Sequence, residues 1–176
     1  MNHADHVQLI ADGVRGAGKH WLELGSGNGE FTLALADVLG DGAQILAADL
    51  DRRALADLKS RLGARFPRAS VATTVIDMTR GLPAGPFDGV LAANSLHFVA
   101  RRGLLLGRIR DVLTPGGRLV LVEYDSEQGN PWVPHPISLR RWGVEAPAAG
   151  FAAPRLLHRV PSRFLGSIYG AVTTRP

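Results

Sequence analysis

Short apolar runs alternate with segments of helical period along most of this chain, and this alternation restricts the fold more than any other feature. The runs are apolar at consecutive positions, which is typical of strands that are buried on both faces of a sheet. We predict five such strands: KHWLEL (residues 19–24), AQILAADL (43–50), SVATTVI (70–76), FDGVLAAN (87–94) and RLVLVEY (118–124).

Apolar residues three and four positions apart predict helices between these runs. Strands joined by helices imply a parallel sheet that is covered on both sides and connected by right-handed crossovers. The predicted fold class is therefore an open, doubly wound α/β sheet. The helical segments are residues 4–14, the pattern Phe31, Ala34, Leu35, Val38 and Leu39, the pattern Leu55, Leu58 and Leu62 ending near Pro67, and the pattern from Leu105 to Leu113, which TPGG (114–117) ends.

The last fifty residues depart from this pattern. DSEQGNPWVPHP (125–136) holds three prolines, so we predict a long loop, and loops of this length are often functional. A helix over residues 138–149 follows. RLLHRV and FLGSIYGAV then predict a closing, hairpin-like pair of strands.

Composition limits the kind of protein this is. The 176 residues suit a single domain, and the absence of cysteine excludes disulfides, thiolate metal sites and a cysteine nucleophile. The N-terminal residues show no secretory signal, and no apolar run approaches the roughly 20 residues of a membrane span. We expect a cytoplasmic protein without a membrane partner. The spacing of the six histidines predicts no metal site.

The net charge of the chain suggests a nucleic-acid partner, but the distribution of that charge argues against one. The formal net charge is +4, and all of the excess lies after residue 125, where six arginines face Glu127 and Glu145. These arginines are spaced like those of a solvated surface, and no block of like charges occurs. Nucleic-acid binding is therefore disfavoured.

The segment WLELGSGNGEFTLALA (21–36) places three alternate glycines between the first strand and a helix. Glycines at such a turn allow a ligand to approach the backbone, and the helix N-terminus offers free N–H groups. The spacing GxGxG matches neither the dinucleotide fingerprint nor a phosphate-binding loop. Glu23 precedes the glycines and suits a ligand with ammonium or sulfonium charge. A glycine turn used only for packing is the alternative.

The stretch LELGSGNGEFTLALA resembles the first motif of class I S-adenosylmethionine-dependent methyltransferases, and the similarity extends over residues 19–124. The resemblance implies a seven-stranded sheet with an antiparallel last strand, S-adenosylmethionine as cofactor and S-adenosylhomocysteine (SAH) as product. It also implies one methyltransferase domain over residues 1–176, with a helix covering the site (1–18), a cofactor-binding core (19–124) and a loop, helix and strand pair (125–176). The first motif contributes the cofactor-binding residues Glu23, Gly25, Ser26, Gly27 and Gly29.

Later segments match the family at the ends of strands 2 and 3. Asp49 resembles the acid that accepts the ribose hydroxyls, with Leu50 beside the adenine; Asp51 is the alternative and would otherwise cap the helix that begins at Arg52. Asp77 resembles the acceptor of the adenine amino group, and Met78 would donate its backbone N–H to the ring. A turn or capping role is the alternative for Asp77.

The segment FDGVLAANSLHFV resembles the fourth strand of the family and its exit loop. Asn94 and Ser95 are expected to meet the cofactor. His97 is the candidate general base, because an ordinary histidine titrates near pH ~6.5, while a positioning or packing role is the alternative. The expected acceptor-binding residues are His6, His97, Tyr124, Trp132 and His135.

Ser95-Leu96-His97 stands where members that methylate nucleic-acid amino groups usually carry Pro-Pro-aromatic, which favours a small-molecule acceptor. We expect in-line methyl transfer promoted by proximity and desolvation. The alternatives are an RNA or protein methyltransferase, a non-catalytic S-adenosylmethionine-binding module and a nicotinamide-dependent dehydrogenase. The sequence predicts neither the identity of the acceptor nor the oligomeric state.

Overall fold

A computed structural model of the chain describes residues 1–65 and 68–176. The strands are β1 (His20–Leu24), β2 (Gln44–Asp49), β3 (Ser70–Val75), β4 (Phe87–Ala93), β5 (Leu113–Tyr124), β6 (Arg155–Ser162) and β7 (Gly166–Thr174). The α-helices are α1 (His3–Val14), α2 (Glu30–Leu39), α3 (Arg52–Arg65), α4 (Gly103–Val112) and α5 (Leu139–Ala148), and a 3-10 turn spans Leu96–Phe98.

The strands form one seven-stranded sheet in the order β3-β2-β1-β4-β5-β7-β6. The first five strands pair in parallel, whereas β7 pairs antiparallel with both β5 and β6. The predicted fold class, including the antiparallel last strand, is confirmed. The chain first builds outward from β1 to β3 and then crosses to β4 on the other side of β1, so the strand order reverses between β1 and β4.

Consecutive residues of the central strands point to opposite faces of the sheet, which explains their continuous apolar runs. Leu22 and Val90 face α4 and α5, whose Ile109 and Trp142 pack in the same core cluster. The other face, with Trp21 and Leu91 among its residues, packs against α1 and α2 through Leu9, Ile10, Phe31 and Leu35. Helix α3 packs beside α2 through Leu55, Leu58 and Leu62.

The prediction for the TPGG segment was wrong in one respect. We expected a turn that separates the helix from a strand beginning at residue 118, but β5 already begins at Leu113, which pairs with Phe87. The register then shifts before Gly89 pairs with Arg118, so the segment forms an irregularity within the strand. Gly116 adopts a φ of 74°, and its N–H donates to the carbonyl of Arg175, which holds the segment to the end of β7.

The proline-rich segment after β5 is a loop, as predicted, and several bonds fix it to the sheet. The side chain of Asp125 accepts the N–H of Leu139, and the hydroxyl of Tyr169 donates to the carbonyl of Ile137. The N–H of His135 donates to the carbonyl of His97. The loop therefore lies against the turn that follows β4. The predicted end of α3 at Pro67 lies outside the described residues.

None of the helices in residues 1–65 and 68–176 combines the length and the apolar character that crossing a bilayer requires.

Candidate active site

A cavity of about 610 Å³ opens at the carboxyl ends of the parallel strands, where the strand order reverses. This is the place where open α/β sheets bind their ligands, and the volume is within the usual range for small-molecule sites. Each of four strands supplies lining residues from the segment that follows it. They are Gly25, Gly27, Asp49, Leu50, Ile76, Asp77, Met78, Thr79, Asn94, Ser95, Phe98 and Val99.

The glycine loop after β1 is fixed against β2. The N–H groups of Gly25 and Ser26 both donate to the carbonyl of Ala48, so these two groups are not free for a ligand. Gly25 has a φ of 73°, and a methyl group in place of its hydrogen would collide with the side chain of Ser95. A glycine is therefore required here both by backbone conformation and by space.

The third glycine of the loop has a different role. Gly29 is the N-cap residue of α2, with a φ of 91°, and a Cβ there would collide with Leu58 of α3. It is not among the residues that line the cavity. Of the three glycines, Gly25 and Gly27 border the cavity, and Gly29 allows α2 and α3 to pack.

The two acids at the end of β2, Asp49 and Asp51, make different contacts in the structure. Asp49 lines the cavity, and its carboxylate accepts the N–H of Gly27 at 2.7 Å and the N–H of Asp51 at 2.8 Å. Asp51 accepts the N–H of Arg53 at 2.8 Å and so caps the start of α3. Only Asp49 can face a ligand in this cavity and also fix the glycine loop.

Asp77 lies in the cavity wall and also stabilises a turn. One carboxylate oxygen accepts both the backbone N–H and the hydroxyl of Thr79, and these bonds lower the pKa of Asp77. The second oxygen is 3.5 Å from the guanidinium of Arg80. The turn role of Asp77 is therefore present in the structure, and its role as acceptor of the adenine amino group stays a prediction. Met78 lines the cavity next to it, and Leu50 lies exposed at the rim.

A second cavity of about 290 Å³ shares Gly25 and Asn94 with the first. Its wall includes His6, Glu23 and Ser26. Three buried atoms of these lining residues have no hydrogen-bond partner within the described protein: Nδ1 of His6, Oγ of Ser26 and Oδ1 of Asn94. Buried polar atoms are seldom left unpaired, so three of them on residues of one cavity wall make this cavity a candidate site for a polar ligand group.

Glu23 adds a titratable carboxyl to this second cavity. Its side chain is almost fully buried, and burial raises its pKa to about 8. The negative charge of Asp49 raises the pKa further, while the hydroxyl of Thr32, which donates to Glu23, lowers it. The carboxyl is thus poised to lose its proton when a cation arrives beside it.

The backbone at Asn94 is unusual in a way that concerns the site. Its φ of 49° is the only positive value at a non-glycine residue among residues 1–65 and 68–176. Such a conformation is costly and often occurs at functional sites. Here it directs the chain from β4 across both cavities, and the hydroxyl of the next residue, Ser95, donates to the carbonyl of Leu24 at 2.8 Å.

His97 forms a buried pair with Glu123 from the end of β5. Its Nδ1 lies 2.8 Å from one carboxylate oxygen, and its backbone N–H donates to the other at 3.1 Å. Both side chains are almost fully buried. His97 does not line the larger cavity itself, but its neighbours Ser95 and Phe98 do. The pair therefore lies directly behind the cavity wall.

The other residues expected to bind the acceptor are spread over two places. His6 lies beside Glu23 in the smaller cavity, where burial lowers its pKa. Tyr124 is half-buried next to His97, with its pKa raised by burial. Trp132 is 70% exposed, and His135 is also exposed. The structure therefore groups Tyr124 with His97 and places His6 elsewhere.

Sequence reasoning missed Phe98, Val99, Ile76 and Thr79, which line the larger cavity, and Phe164, whose ring lies beside Tyr124. The first four immediately follow or neighbour residues that were identified, so their position after a strand was an available signal. Phe164 lies in the turn between β6 and β7, far away in sequence, and had no such signal.

Within the described ranges, no three histidine, aspartate or glutamate side chains come together in a way that could hold a metal ion.

Comparison with known proteins identifies the family. A family model described as a methyltransferase domain matches residues 22–119, which is more than half of the chain. The chain is 31% identical over 153 residues to the reducing polyketide synthase grgA of a Penicillium species, covering 74% of this chain and 6% of that protein. It is 31% identical over 117 residues to the ubiquinone/menaquinone biosynthesis C-methyltransferase UbiE of Cellvibrio japonicus, covering 66% and 47%.

The chain thus spans less than half of the length of either of these curated relatives. Among solved structures, the trans-methyltransferase CalH in complex with SAH superimposes with a TM-score of 0.74 at 20% identity, covering 97% of this chain and 55% of that one. This similarity confirms the fold, and the family model adds the relationship in sequence. The chain belongs to the class I S-adenosylmethionine-dependent methyltransferases.

Proposed function

We propose that this chain transfers a methyl group from S-adenosylmethionine to a small-molecule acceptor. The observation that carries the proposal is the pair of adjacent cavities at the switch point of the sheet, which share Gly25 and Asn94. The wall of the smaller cavity includes Glu23 as well as Ser26 and Asn94, whose Oγ and Oδ1 atoms have no hydrogen-bond partner within the described protein. A ligand that carries both a charged amino-acid group and a nucleoside fits this division into a polar and a largely apolar compartment.

The smaller cavity suits the amino-acid end of the cofactor. Glu23 can pair with an ammonium group as a carboxylate, while Ser26 and Asn94 supply the hydrogen-bonding atoms that lack partners in the protein. In the larger cavity, we assign Asp49 to the ribose hydroxyls and Asp77 and Met78 to the adenine edge, with Leu50 at the rim. The assignment is supported by their position in the cavity wall.

When it is bound, S-adenosylmethionine supplies a methyl group that is attached to a positively charged sulfur. After transfer of the methyl group, this sulfur belongs to a neutral thioether, which is the leaving group. The acceptor's electron pair forms the new bond to carbon while the carbon–sulfur bond breaks toward sulfur. The protein's main contribution is to align the acceptor and to exclude water, because charge disperses in this transition state. If the attacking atom carries a proton, Nε2 of His97 receives it, since Nδ1 is engaged by Glu123.

Two observations favour a small acceptor. Ser95-Leu96-His97 replaces the Pro-Pro-aromatic segment of nucleic-acid amino methyltransferases. Relatives of the chain are named as enzymes of small-molecule chemistry, including UbiE and the O-methyltransferase cnsE of Penicillium expansum, to which it is 31% identical over 116 residues.

The proposal is tested in two steps. Calorimetry should show micromolar binding of S-adenosylmethionine and SAH and no binding of NAD; tight NAD binding alone would contradict the cofactor assignment. The protein is then incubated with methyl-labelled cofactor and a cell extract, which is separated into protein, RNA and small-molecule fractions. Label should enter the small-molecule fraction, and label confined to RNA or protein would overturn the acceptor class.

A further inference from the structure

We propose that the acceptor is a planar aromatic compound, held by a row of aromatic side chains that leads from the cofactor cavity to the surface. The aromatic row consists of Phe98, His97, Tyr124, Phe164 and Trp132. This inference rests on the proposed function, because it assigns a substrate class to the same site.

The five rings form an unbroken series although they come from four separate segments of the chain. Ring centroids are 4.3 Å apart for Phe98 and His97 and 6.3 Å apart for His97 and Tyr124. Phe164 lies 5.8 Å from Tyr124 and 6.1 Å from Trp132. The last three separations are within the range of about 4.5–7 Å for direct aromatic interaction, and that between the sequence neighbours His97 and Phe98 is slightly shorter.

The rings do not stack on one another. Their planes are inclined by 50–59° along the first three contacts and by 76° between Trp132 and Phe164. The inclined and exposed rings of Phe98, Phe164 and Trp132 leave faces open to solvent, and a flat aromatic ligand gains most by lying on or against such a face. A saturated ligand of the same size lacks this interaction.

Exposure sets this row apart from the rest of the surface. Phe98, Phe164 and Trp132 are 62%, 48% and 70% exposed. In the described part of the chain, every exposed phenylalanine, tyrosine or tryptophan belongs to the row. Grouped exposed aromatic side chains are typical of ligand-binding surfaces, whereas single ones are normal.

The row is continuous with the site of methyl transfer, which identifies its occupant as the acceptor. Phe98 lines the larger cavity, and His97 is the proposed base. The two carboxylates at the start of the loop are already paired, Asp125 with Arg159 at 2.6 Å and Glu127 with Arg140 at 3.0 Å. No unpaired carboxylate of the loop is therefore left to select a cationic ligand, which favours an acceptor that is recognised by its aromatic ring.

The test uses the full chain saturated with SAH and two probes that share a carbon skeleton and the position of the hydroxyl group: 2-naphthol, which is planar and aromatic, and decahydro-2-naphthol, which is saturated and puckered. Calorimetry should give clearly tighter binding of 2-naphthol. Trp132→Ala and Phe164→Ala should each weaken 2-naphthol binding by about 3–10-fold, the range of aromatic pair interactions. Trp132→Phe should restore most of the affinity. SAH binding should be unchanged in all three variants.

Leu104→Ala and Val144→Ala serve as matched controls, because both remove exposed apolar side chains outside the row. They should leave 2-naphthol binding unchanged. Equal binding of the two probes, or no effect of either aromatic substitution, would overturn the inference while normal SAH binding leaves the proposed function standing. A dimer in light scattering that Trp132→Ala dissociates, with no binding of 2-naphthol, would assign the row to a second copy of the chain.

Discussion

The carboxylate of Glu123 holds His97 at two points: one oxygen contacts Nδ1 of the imidazole at 2.8 Å, and the other accepts the backbone N–H of His97 at 3.1 Å. Because both side chains are buried, the ring has little freedom to rotate. A carboxylate at Nδ1 favours the tautomer that carries its proton there and leaves Nε2 as the proton acceptor.

We expect His97→Ala to lower the rate of label transfer to the acceptor fraction by about 10²–10⁴-fold, the usual contribution of an acid–base group. SAH affinity should stay within about threefold. His158→Ala, which removes an exposed histidine of β6, is the matched control and should keep full activity. A loss of only a few fold at His97 would leave acceptor alignment as the mechanism.

Glu123→Gln should lower the same rate by less than His97→Ala, because the amide can still accept one hydrogen bond but cannot accept at both of its ends as the carboxylate does. If Glu123 acts through His97, the double variant should be hardly slower than His97→Ala alone. Independent, multiplicative losses in the double variant would show that Glu123 does not act through His97. Thermal unfolding of each variant measures its stability and so separates an effect on stability from an effect on the rate.

Asp49→Ala should weaken SAH binding by about 1–3 kcal/mol, because ligand hydroxyls and the N–H of Gly27 lose a half-buried acceptor. Asp51→Ala should affect SAH binding much less and instead cost about 1 kcal/mol of unfolding free energy, the usual value of a helix cap. Calorimetry and denaturant unfolding measure the two effects. If they were exchanged between the variants, the ribose acid would be Asp51.

The raised pKa of Glu23, about 8, predicts how SAH binding depends on pH. At pH 6–7 the free protein holds the carboxyl proton, and an ammonium ligand that prefers the carboxylate must expel it. SAH affinity should therefore rise between pH 6 and 8, by at most about tenfold per pH unit, and stay constant above about pH 8. Calorimetric titrations with SAH in buffers of different ionisation enthalpy should detect the protons that are released on binding.

The same group also affects the stability of the free protein. Between its ordinary pKa of 4.5 and about 8, the folded protein binds a proton that the unfolded chain has lost. Unfolding free energy should consequently fall as pH rises through this window. Glu23→Gln is the control for both measurements, and it should remove this part of each pH dependence. Unchanged pH profiles in the variant would assign them to other groups.

Gly25→Ala should reduce SAH binding more than tenfold and lower stability, because the added methyl group strikes Ser95 and the φ of 73° is unfavourable for alanine. Gly42→Ala is matched in backbone conformation, with a φ of 79°, but has open space around it. It should cost about 1 kcal/mol of stability without affecting SAH binding. Thermal unfolding and calorimetry on both variants separate strain from collision.

Much of the fold and of the cofactor site could be predicted because the signals are local. Glycine spacing, strand ends and apolar periodicity place Gly25, Asp49, Asp77 and Asn94 at one edge of the sheet without any knowledge of long-range contacts. The pairing of His97 with Glu123 depends on the register between β4 and β5, in which Ala93 pairs with Val122. No local pattern specifies that register.

The aromatic row was beyond prediction for a related reason. Phe164 reaches Tyr124 because the turn between β6 and β7 lies next to the end of β5, where Tyr124 pairs with Ile168. Trp132 was identified as part of the acceptor region, but its partner was not. The unpaired atoms around Glu23 likewise emerge only when α1 brings His6 to the glycine loop.

The position of β7 has a consequence for how the sheet assembles. Although it is the last strand in the sequence, it lies between β5 and β6 and pairs with both. Until it docks, β5 presents an open edge of apolar residues, from Leu119 to Val122, to other chains. Contacts this distant in sequence form slowly, so the half-finished sheet is the species most exposed to aggregation. Shortening the chain by its final ten residues removes an interior strand, and we expect insoluble protein from such a truncation.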